Sequence, residues 1–77
     1  MTYFTLVCLD DWNKWGVEFG DYDREVVSDE RDDAIGESSM GLPRYHSMRR
    51  FKILRHADAR QATIDADVAR LNAEWKN

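Results

Sequence analysis

Apolar and polar positions divide the first twenty residues into two runs. Residues 3–9 (Tyr3-Phe4-Thr5-Leu6-Val7-Cys8-Leu9) are rich in aromatic and β-branched types, which suits a strand. The cluster Asp10-Asp11-Trp12-Asn13-Lys14 is polar and turn-like. Trp15-Gly16-Val17-Glu18-Phe19 then alternates strictly, with Trp15, Val17 and Phe19 on one face, so the two runs predict a β-hairpin. Gly20-Asp21 closes the second strand, and Asp21 or Asp23 can cap a helix by accepting from free backbone N–H groups. That helix is predicted over 24–35, with Tyr22, Val26, Val27, Ala34 and Ile35 as its apolar minority and Gly36 as its stop. Residues 37–43 read as a loop by composition.

A third strand is predicted over 48–55, with Phe51 and Ile53 on one face and Arg50, Lys52 and Leu54 on the other. Asp58-Ala59-Arg60-Gln61 matches a capping box, with an acid at the cap and Gln three positions on. Behind it Ile64, Val68, Leu71 and Trp75 recur at three- and four-residue steps, one stripe of a helix ending near Trp75. The order β-β-α-β-α predicts one α+β domain over 1–77. Its expected core is a three-stranded antiparallel sheet in spatial order 2-1-3, with both helices on one face.

That arrangement leaves a surplus. The first strand is apolar on both sides, Phe4, Leu6 and Cys8 against Tyr3, Thr5, Val7 and Leu9, which a sheet covered on one face does not need. The surplus predicts self-association or a protein partner, with Val7, Leu9 or a strand edge at the contact. Size points the same way. A chain of 77 residues hides only about 60% of its unfolded surface. Cys8 is the lone cysteine, expected as a small buried hydrophobe, so no intrachain disulfide forms. Two histidines and one cysteine make no structural zinc set, and a homo-oligomer is the remaining staple.

Charge adds a second pattern. The chain carries a net −4, which weighs against nucleic-acid binding by the surface as a whole. Residues 21–37 hold eight acids against Arg24 and Arg31, a segment of −6. Residues 44–56 hold Arg44, Arg49, Arg50, Lys52 and Arg55 with no acid, a segment of +5. Acids near a helix start are favoured by its dipole, and the two segments could simply pair with each other. Asp29, Glu30, Asp32 and Asp33, however, fall within five residues and repel one another at helical spacing, and the alternative reading makes them a surface for a basic partner. Trp12, in the hairpin turn, either packs back on the sheet edge or anchors an interface. Alternatively Arg50, Lys52 and Arg55 bind phosphate groups.

Catalytic constellations are lacking. His46 and His56 flank the third strand at no metal-ligand spacing and read as surface or loop residues. Ser38 and Ser39 lack the elbow that would activate a hydroxyl. The expectation is a protein that is not an enzyme, uses no cofactor or metal, crosses no membrane and works in the cytoplasm.

The string Phe19-Gly20-Asp21-Tyr22-Asp23-Arg24, followed by Val27 and Glu30-Arg31, resembles a group of small accessory proteins of tailed phages and prophages. The segment from Asp58 to Ala66 is similar to a late helix of that group, and the resemblance covers about half the chain. It implies a phage-encoded binding protein that inhibits a host defence system. That class includes anti-CRISPR proteins, which bind the effector complex and block access to DNA. The expected partner is then a host defence complex, met through Asp29, Glu30, Asp32, Asp33 and Trp12. The alternative is a nucleotide sponge or phosphate sensor using Arg50, Lys52 and Arg55.

Overall fold

The computed structural model describes residues 1–39 and 50–75, the side chains of 35–39 excepted. Five elements follow one another: β1 (Tyr3–Leu9), β2 (Trp15–Asp21), α1 (Arg24–Ser39), β3 (Phe51–His56) and α2 (Gln61–Glu74). The fold is α+β, and its sheet has the order β2-β1-β3 with both pairings antiparallel. β2 and β3 therefore run parallel to each other with β1 between them, and α1 carries the chain across β1. The expected loop residues 40–43, the strand start at 48–49, His46, Arg44 and Arg49 lie outside the described residues.

β1 explains the rest of the architecture. Thr5, Leu6, Val7 and Cys8 are consecutive and all buried. Neighbouring side chains on a strand point to opposite faces, so both faces of β1 must be covered. Leu6 and Cys8 meet Val27 of α1 and Phe51 of β3, with Phe4, Phe19, Ala34 and Ile53 packed around them. Thr5 points the other way, where it meets His56, and His56 meets Asp67 of α2. On that second face Trp15 contacts Trp75 at 5.2 Å between ring centroids. The helices expected together on one face are thus divided, α1 on the Leu6 side and α2 on the Thr5 side. The surplus apolar face that motivated self-association is the seat of α2.

Three local expectations are corrected. The pairing Leu6↔Phe19 is followed by Val7↔Val17, so Glu18 is an extra residue in β2. This bulge breaks the alternation of Trp15, Val17 and Phe19. Trp15 stays with α2, and Phe19 joins the α1 cluster. Second, α1 does not stop at Gly36 but runs to Ser39. Third, α2 begins at Gln61 with Arg60 at its cap and no side-chain cap bond. Asp58 instead closes a turn before the helix, accepting from the Arg60 N–H at 2.9 Å. Along α2, Ile64 is buried and Val68, Leu71 and Trp75 are half-buried.

Candidate functional site

The strand-to-helix junction fixes where α1 presents its charge. Asp21 accepts from the Asp23 N–H at 2.9 Å, a local turn that ends β2. Asp23, not Asp21, then caps α1 by accepting from the Glu25 N–H at 2.9 Å. With Val27 fixed in the core, Asp29, Glu30, Asp32 and Asp33 all stand exposed. Among the described residues, these four form one ion pair, Arg31 to Asp32 at 3.5 Å.

The hairpin turn is built by its own polar side chains. Asp10 accepts from the N–H groups of Trp12 and Lys14 at 2.8 and 2.9 Å. Asn13 takes a φ of 65°, the left-handed conformation that asparagine tolerates. Its side-chain oxygen accepts from the Trp75 indole N–H at 3.0 Å, tying the turn to the end of α2. Trp12 does not pack back on the sheet: it is 79% exposed at the tip of this braced turn.

The basic strand does not converge. Arg50 pairs with Asp11 at 3.1 Å. Lys52 stands opposite Val7, on the α2 face, over the rings of Trp15 and Trp75 at 5.6 and 5.7 Å. Arg55 stands opposite Phe4, on the α1 face. The three expected phosphate ligands therefore have three different surroundings. Arg55 instead shares a cleft of about 400 Å³ with Thr2, Phe4, Arg24 and Ile53.

His56 is a buried residue, not the surface or loop histidine expected. Its Nδ1 lies 2.7 Å from an Asp67 carboxylate oxygen and its Nε2 lies 2.7 Å from the Thr5 hydroxyl. Arg70 completes the chain at 3.4 Å from Asp67. Hydroxyl, imidazole and carboxylate in this order have the connectivity of an activated nucleophile. Burial decides against that reading, because Thr5 and His56 are each 1% exposed and no substrate can reach the hydroxyl. The chain of bonds is a tie between β1, β3 and α2. Asn72 makes a second tie, accepting from the Trp15 N–H at 2.7 Å and donating to its carbonyl at 3.1 Å. A sequence signal for both existed: Asp67 and Asn72 sit beside the α2 stripe, where polar residues need partners inside.

Among the described residues no cluster of His, Cys, Asp and Glu is placed to hold a metal ion, and no helix is long and apolar enough to cross a membrane. Compared with known proteins, the chain matches no family model, no curated relative and no solved structure.

Proposed function

We propose that this chain acts by binding rather than by turnover, and that α1 offers its acidic face to a basic surface of a protein partner. The observation that carries this reading is the exposure of Asp29, Glu30, Asp32 and Asp33, with one long ion pair linking them to any described residue. Four carboxylates at helical neighbour spacing cost helix stability, and none of them packs the core. Such a field accelerates encounter with a basic partner and rejects phosphate-rich surfaces. Trp12, exposed on a turn held by Asp10 and Asn13, supplies a rigid aromatic anchor of the kind that carries interface energy. The similarity of the segment from Phe19 to Arg24 to phage accessory proteins makes a bacterial defence complex, including a CRISPR effector, the first partner to test.

The test is capture of bacterial defence complexes on the immobilised full chain. Replacing Asp29, Glu30, Asp32 and Asp33 together by Lys abolishes capture while leaving the circular dichroism spectrum intact. Capture by the parent chain weakens as salt rises to about 0.5 M, because the screening length then falls to roughly 4 Å. Capture that survives the four-Lys change defeats the reading.

A further inference from the structure

The six-residue string at the β2–α1 junction can be accounted for residue by residue. Phe19 packs against the α1 cluster. Gly20 lies under the Tyr3 ring, whose carbons would stand 2.9 Å from any Cβ placed there. Asp21 and Asp23 hold the turn and the cap, and Tyr22 meets Tyr3 edge-on at 4.8 Å. Folding explains five of the six. Arg24 is left over: it lines the cleft with Arg55, and neither guanidinium pairs with a described acid.

We propose that this cleft binds a small organic phosphate, with its anionic group between Arg24 and Arg55 and its apolar body on Phe4 and Ile53. Arg24 is the first residue of α1, where the positive end of the helix disfavours a cation. Arg55 brings a second positive charge to the same space. The neighbouring acids Asp21 and Asp23 are engaged with backbone N–H groups, and Glu25 follows them in the first turn. A phosphate monoester relieves this like-charge crowding, because each guanidinium can offer it two parallel N–H donors. Thr2 also lines the cleft, and its hydroxyl is a further donor available there. Phe4 and Ile53 give the cleft an apolar floor already packed on the core. Its volume of about 400 Å³ lies within the range that small-molecule sites occupy.

Amide NMR of the full chain, titrated separately with phenyl phosphate, inorganic phosphate and phenol, tests the proposal. Phenyl phosphate produces saturable shifts centred on Thr2, Phe4, Ile53 and Arg55, and binds more tightly than either inorganic phosphate or phenol. Arg24→Gln and Arg55→Gln each weaken it about tenfold, the equivalent of about 1.4 kcal/mol. Both side chains belong to exposed residues, so the spectra of the variants keep the folded dispersion. Arg50→Gln and Lys52→Gln leave the affinity unchanged. Absence of saturation by about 10 mM overturns the proposal. So do shifts centred on Arg50 and Lys52, or inorganic phosphate or phenol binding as tightly as phenyl phosphate.

Discussion

The two faces of the sheet are closed by different chemistry. On the α1 side, Leu6, Cys8, Val27 and Phe51 form a buried cluster of apolar side chains. On the α2 side, Val7 and Ile64 are buried beside Thr5 and His56, and Asp67 and Asn72 reach in from the helix. An apolar contact is non-directional and tolerates any residue of suitable shape. A buried polar group must meet its partner in one geometry or lose its hydration without return. The α1 face therefore supplies much of the adhesion, while the α2 face fixes how the second helix sits. That division also frees the outer surface of α1, whose charges serve no packing purpose.

The fold is most vulnerable at the apolar face. Leu6→Ala deletes a fully buried side chain of the central strand, and it should cost about 3–4 kcal/mol, visible as a collapse of the urea midpoint. A small midpoint shift would mean that the cluster is loosely packed. On the polar face, His56→Ala strands the Thr5 hydroxyl and leaves the Asp67 carboxylate only Arg70, at a cost of about 2–4 kcal/mol. A double-mutant cycle over His56→Ala and Asp67→Ala should give a coupling of about 1–3 kcal/mol. Simple additivity would show that the imidazole and carboxylate do not act as a unit.

Asn72→Ala removes two bonds to the Trp15 backbone, and should cost about 1–2 kcal/mol in thermal or urea unfolding. The smallest effect lies at Asp58. The Arg60 N–H, followed by the Thr63 hydroxyl, holds its carboxyl below the ordinary value of 3.8. A depressed carboxyl pKa contributes stability above the unfolded value and loses it as pH falls through the folded one. Asp58→Asn should therefore lower the melting temperature slightly at pH 7, and the gap from the parent should close progressively below about pH 4. A gap that persists or widens in acid would remove the carboxylate from the account.

Much of this molecule is written locally. The strand of β-branched and aromatic residues from Tyr3 to Leu9, the turn chemistry of Asp10 and Asn13, and the stripe beginning at Ile64 each depend on near neighbours. Strand order follows from them, since a hairpin and one crossing helix leave β3 the open edge of β1. Local pattern misled where two solutions look alike. The Asp58 to Gln61 string fits a capping box, but the helix starts later and Asp58 closes a turn instead. The alternation from Trp15 to Phe19 fits a regular strand, but the bulge at Glu18 divides its residues between the faces.

What the sequence determined by itself is the set of elements, the antiparallel sheet and the crowding of acids on α1. Periodicity and charge are properties of neighbours, and neighbours are visible along a chain. Only the tertiary structure decided which helix takes which face. That choice joined His56 to Asp67 across 11 residues and Thr5 to His56 across 51. It also separated Arg55 from Lys52 and set it beside Arg24, because residues three apart on a strand point to opposite sides. The sides acquire meaning only once each helix has chosen one.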